Sequence, residues 1–281
     1  MKENETTTFP EEKLTEIARD LRLDILKSTN KAKSGHLSSS YSSVELLTAL
    51  FFNGILRYRS DEPLWPDRDR FIMSKGHAAP LLYAVLAKAG YFDRDQLWRL
   101  RQVDSPVQGH PILGLMPGVE ATTGSLGQGI SLAIGHILGG RLTGKDFSVY
   151  VLIGDGECQA GQIWESAMAA AHYKTSELLV ILDYNKHQEM GPVSREMGLE
   201  PLIEKWQSFG WNTAEVDGHN IKEVTKTIKL LKENQEQPSI LVAHTIKGKG
   251  VSFVEKDYTW HGRAIMDPKQ YELAEKEILC D

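Results

Sequence analysis

Cysteine is nearly absent. Two residues in 281, Cys158 and Cys280, are too few for a disulfide framework or a zinc site, and a reducing cytoplasm is the simplest compartment. Long apolar runs are missing: none approaches the roughly 20 residues of a membrane span. The opening MKENETTTFPEEK is polar and acidic, unlike a signal peptide. Positive charge is in deficit, with 32 Lys and Arg against 38 Asp and Glu and a net charge of −6. That argues against nucleic acid, which needs a basic footprint. No segment repeats and none is of low complexity. Two catalytic fingerprints are also lacking. Without G-x-S-x-G, serine-hydrolase chemistry has no support, and without G-x-G-x-x-G, a nicotinamide dehydrogenase ranks last.

What is present is ordinary for a soluble globular chain: 41% hydrophobic and 25% charged residues. The length suits one large domain or two small ones. After a flexible tail over 1–9, Pro10-Glu11-Glu12 opens a helix, since proline and acids suit a first turn. Apolar residues then recur at helical spacing to about Lys33. Further helices are expected over Ser42–Leu56 with Ser43 as N-cap, Ala78–Ala89, Gly127–Leu142, Ile163–Tyr173, Pro201–Phe209, Ile221–Glu233 and Pro268–Leu279. Strands are expected over Phe71–Met73, Phe147–Ile153, Leu178–Leu182, Asn212–Val216 and Ile240–His244. Strands alternating with helices predict an α/β fold over 10–281, an open and mainly parallel sheet with helices on both faces.

In VLIGDGECQAGQ an apolar strand stops at Asp155 between two glycines. Asn185 follows the next strand, about one βαβ unit later. Adjacent parallel strands would bring both to one sheet edge, where such folds place ligands. A carboxylate with an amide oxygen suits Mg²⁺ or Ca²⁺. A helix cap at Asp155 with a turn at Asn185 explains the same residues equally well, and a ribose-binding acid is a weaker third option. Thr122–Gly129 spaces its glycines G-x-x-G-x-G before a small-residue helix whose first amides could face a ligand. Five of the nine histidines stand beside glycine at loop positions: His36, His77, His110, His219 and His261. Together they suggest a site that handles protons or phosphates. Lys247-Gly248-Lys249-Gly250 reads as a solvated loop rather than a phosphate clamp.

These motifs together resemble the N-terminal, thiamine diphosphate-binding half of the transketolase family. The resemblance rests on Gly154-Asp155-Gly156 with Asn185, Thr122–Gly129, Ser34–His36, Gly76–Pro80, Gly109–Pro111 and Val216–His219, in family order. It implies the thiamine diphosphate-binding fold. It also implies a metal site of Asp155, Asn185 and the His187 backbone carbonyl, holding Mg²⁺ or Ca²⁺ against the diphosphate. Contacts to the cofactor would come from Gly156, His77 and His261, with Gly124, Ser125, Leu126 and Glu157 around it. His36, His77, His110 and His261 would be catalytic, binding sugar hydroxyls and moving protons.

The family's activating glutamate lies in a second domain that has no counterpart among these residues, which leaves a natural small subunit or a fragment of a longer chain as the two readings, the first favoured. The resemblance therefore implies a split transketolase working with a separate C-terminal subunit, in an α2β2 assembly acting on sugar phosphates in the cytoplasm. The alternatives are a related ketol transfer (sulfosugar, apulose-phosphate or deoxyxylulose-phosphate type) or a non-catalytic cofactor-binding subunit. The chain departs from the family pattern at Leu37-Ser38-Ser39-Ser40, at Glu189-Met190-Gly191 and at Ala160, where the family usually has glutamate.

Overall fold

A computed structural model describes residues 8–280 of the chain. The tail expected over 1–9 lies mostly outside the described residues; within it, Thr8 bridges Asn53 and Phe9 packs on the core. Five strands, β1 (Arg70–Met73), β2 (Val149–Gly154), β3 (Leu178–Tyr184), β4 (Asn212–Asp217) and β5 (Ser239–His244), form one sheet in the order β1-β2-β3-β5-β4. Every neighbouring pair is parallel.

The central strands are continuous apolar runs because both of their faces are covered. Alternate residues point to opposite faces. Phe71, Met73, Tyr150, Leu152, Leu179, Ile181 and Leu241 enter one core, under α1 (Glu11–Ala32), α3 (Val44–Phe52), α4 (Ala79–Lys88), α9 (Ile221–Lys232) and α10 (Pro268–Cys280). Ile72, Val149, Val151, Ile153, Val180, Leu182 and Ile240 enter the other, under α5 (Gly129–Leu142), α6 (Gly161–His172) and α8 (Leu202–Ser208).

One expected helix is broken. Ser42–Leu56 begins later, as α3, and a short α2 (Leu37–Tyr41) precedes it; a further short helix, α7, covers Val193–Glu196. Ser43 does not cap α3 with its side chain. Its hydroxyl instead accepts from Lys75 Nζ at 2.7 Å, and Ser42 donates to Asp183 at 2.7 Å. Both serines are drawn to charges at the sheet edge, and that edge positions the site.

Candidate active site

A cleft of about 260 Å³ opens beyond the carboxyl ends of β1, β2, β3 and β5, where parallel sheets place ligands. Its floor holds two buried aspartates. Asp183, at the end of β3, pairs with the buried Lys75 ammonium at 2.6 Å and also accepts from Ser42, Thr245 and Asn185 Nδ2. Burial raises its pKa, but Lys75 and these donors outweigh burial and hold the carboxyl below its usual range. Asp155, one strand over, has no such cation. It accepts from the backbone N–H groups of Gly156, at 2.7 Å, and Lys186. Burial, then the Asp183 charge, push it up to about 7.

Asp183 also settles which way Asn185 faces. A carboxylate accepts and cannot donate, so the Asn185 amide turns its nitrogen to Asp183, at 2.9 Å. Its oxygen, which accepts from His187 N at 3.1 Å, is left on the other side. The His187 backbone carbonyl accepts from Lys247 Nζ at 3.2 Å. Asp155, Asn185 and His187 all line the cleft, and between them they can offer a carboxylate, an amide oxygen and a backbone carbonyl. Among the described residues no group of three or more His, Cys, Asp or Glu side chains could hold a metal. A cation here would need these mixed oxygen donors, completed by phosphate or water, which is the set hard divalent ions take. The under-compensated charge of Asp155 fits such an ion.

Three histidines face one another above this floor. Ring centroids of His36, His77 and His261 stand 5.0, 5.2 and 5.1 Å apart, pair by pair. Burial lowers all three: His36 to about 4, helped by Arg101; His77 well below its usual value, helped by His36 and Lys75; His261 to about 3, helped by Lys247. They are uncharged at neutral pH, with lone pairs to offer a proton or hydroxyl. His77 stands where it does because Gly76 has no side chain: a Cβ there would lie 2.7 Å from the Thr123 and Gly124 backbone. His110 does not join the cluster. It is exposed at the rim, where a methyl on Gly124 would meet its ring at 3.1 Å.

Of the other expected contacts, Gly124, Leu126 and Gly156 line the cleft, whereas Ser125 is exposed and outside its lining. Glu157 reaches the lining, but its carboxylate is engaged by Ser74 Oγ, Gly127 N at 2.8 Å and Gly154 N at 3.1 Å. It ties three site segments together. Ala160 packs where a Cβ on Gly127 would meet it at 3.1 Å.

Three buried charges in this site are not among the candidate residues of the sequence. Lys75 and Asp183 were strand-end residues without a motif. Lys247 is a correction: it is not solvated but 1% exposed, with Nζ 2.7 Å from His261 Nδ1. Burial lowers its ammonium to about 8. The sign in the sequence was only a lysine shortly after a strand end.

A parallel α/β sheet with this polar edge is the thiamine diphosphate-binding fold, and known structures confirm it. A transketolase from Campylobacter jejuni superposes with a TM-score of 0.90 at 28% identity, over 96% of this chain and 43% of that one. The chain belongs to the transketolase family: the family model "Transketolase, thiamine diphosphate binding domain" matches residues 11–277. It is 38% identical over 248 residues to one of the subunits of the apulose-4-phosphate transketolase of Phocaeicola vulgatus, covering 88% of this chain and 87% of that protein. It is 39% identical over 250 residues to the 6-deoxy-6-sulfo-D-fructose transketolase subunit SqwG of a Clostridium species, covering 89% and 90%. The chain therefore spans most of the two subunits and less than half of the longer transketolase.

Proposed function

We propose that this chain is the thiamine diphosphate-binding subunit of a split transketolase, moving a two-carbon ketol unit from a ketose to an aldose with a separate C-terminal subunit. The observation that carries the reading is the convergence of Asp155, Asn185 and the His187 carbonyl beneath three uncharged histidines. Asp155, Asn185 and His187 hold Mg²⁺, or Ca²⁺ in its place. Gly156, His77, His261 and Lys247 face the diphosphate, and Gly124, Leu126 and Glu157 shape its surroundings. Thiamine diphosphate, once bound, supplies the carbanion chemistry of C–C cleavage. This chain's residues bind and orient it, and His36, His77, His261 and the rim residue His110 bind sugar hydroxyls and pass protons.

The partner subunit carries the glutamate that activates the cofactor, and the assembly is α2β2. The substrates named for the two subunit relatives, apulose-4-phosphate and 6-deoxy-6-sulfo-D-fructose, are anionic ketoses. We assign an anionic ketose here too. Residues 10–281 act as one cofactor-binding unit, in the cytoplasm and without nucleic acid or membrane partners. Among the described residues no helix is long and apolar enough to cross a membrane.

Calorimetry with thiamine diphosphate and Mg²⁺ tests the binding step: saturable, metal-dependent binding is expected, and none to the well-folded chain would overturn the reading. Ketol transfer should require the partner; full activity of the chain alone would sink the split-enzyme assignment.

A further inference from the structure

His219 closes the Val216–His219 motif yet lies outside the cleft lining. Its ring is fixed at both ends. Nε2 accepts from the Ile246 backbone N–H at 2.8 Å, and a backbone N–H can only donate. The ring proton is therefore on Nδ1, which donates to Glu45 Oε2 at 2.8 Å. Glu45 Oε1 lies 2.6 Å from Arg22 Nη2, and both side chains are almost wholly buried. Arg22 closes the circuit by donating from Nε to the Lys249 carbonyl at 3.1 Å. Gly218 lets this segment press on the loop: a Cβ there would fall 2.5 Å from Thr245 Cγ2.

Three elements, α1, α3 and the segment after β4, thus grip one short loop at Ile246 and at Lys249. Between those two anchors stands Lys247, whose side chain crosses into the cleft to His187 and His261. A buried ion pair is costly to assemble for stability alone. Here the hydrogen-bonding ends of the Arg22–Glu45–His219 chain are spent on the backbone either side of one site lysine. We propose that Arg22, Glu45 and His219 are positioning residues: they hold the Ile246–Lys249 loop so that the Lys247 ammonium is delivered to the cofactor's diphosphate. The inference rests on the thiamine diphosphate reading of the cleft.

The test is a double-mutant cycle on cofactor affinity in the full chain, read by calorimetry with thiamine diphosphate and Mg²⁺. Lys247→Met reports the lysine itself. His219→Phe removes the Nε2 acceptor and is expected to weaken binding roughly three- to tenfold, the scale of one lost buried hydrogen bond. In the Lys247→Met background the same change should weaken binding less than twofold, because the lysine it positions is gone. His219→Gln can place its amide oxygen where Nε2 accepts from Ile246 and should recover most of the affinity. If His219→Phe does not fold, Glu45→Gln supplies the second arm of the cycle. Additive losses, or a Gln variant as weak as Phe, would overturn the positioning role while leaving the cofactor reading standing. Absence of wild-type binding would instead remove the cofactor reading itself.

Discussion

Asp155 and Asp183 stand at the ends of neighbouring strands and are both almost wholly buried, yet their electrostatics are opposite. Asp183 is surrounded by its own counter-charge and donors, and is held below its usual range despite burial. Asp155 has two backbone N–H groups and no direct cation, and rises to about 7. One carboxylate is neutralised by a cation of the chain, the other meets backbone N–H groups alone, and the difference separates a residue that builds the site from one proposed to bind in it.

The largest effect should come from breaking the neutralised one. Asp183→Ala strands the Lys75 ammonium, which is 2% exposed and has only Ser39 O and Ser43 Oγ left. Removing one partner of a buried pair costs about 3–5 kcal/mol. Urea unfolding of the chain without cofactor should show that loss.

Asp155→Asn should do the reverse. Stability without cofactor is expected to hold or rise, because a buried charge is removed, while Mg²⁺-dependent cofactor binding is lost. In the wild type, cofactor and metal at 100 times Kd should add about 2.7 kcal/mol, and EDTA should remove it. A retained thermal shift in Asp155→Asn would break the comparison.

The pH dependence sharpens it. An acid whose folded pKa is raised binds its proton more tightly when folded. Between the ordinary aspartate value of 3.8 and about 7, the folded chain then holds the larger share of protons. The Asp155 contribution therefore favours folding below this window, declines across it, and is fully lost above about pH 7. Asp183, lowered when folded, contributes with the opposite sign: its stabilisation is present above its ordinary pKa and lost as pH falls through its lowered folded value. Because the buried histidines titrate with the opposite sign in both proteins, the readout is the difference: from pH 4 to 8 the stability of wild type relative to Asp155→Asn should fall, and metal bound to the wild type should reduce that fall.

The same contrast explains what the sequence made legible. The sheet, its parallel order and its two cores follow from apolar runs spaced by helices. Asp155 and Asn185 were visible because glycines and strand ends mark turns that meet ligands. Lys75, Asp183 and Lys247 were not, since a buried ion pair is made by residues distant in sequence: Lys75 meets Asp183 across 108 positions. Lys247 looked like a solvated residue because lysine beside glycine usually is one, and only tertiary contact with His187 and His261 buries it. His110 carried the same motif signal as His77, yet the fold leaves it at the rim.

The smallest effect is expected at Ala160, on the turn that follows Asp155. Ala160→Glu restores a carboxylate five residues along, but at a half-buried position at the start of α6 rather than in the dry floor. A carboxylate near a helix N-terminus is mildly favourable, and surface-type changes stay within about 0.5 kcal/mol. Stability should change by no more than that, and affinity for cofactor with Mg²⁺ by less than about twofold, which at 1.4 kcal/mol per decade is the same scale. If the variant instead altered metal affinity as strongly as Asp155→Asn, nearness along the chain rather than burial would set which carboxylate demands a cation, and the contrast between the two aspartates would lose its physical basis.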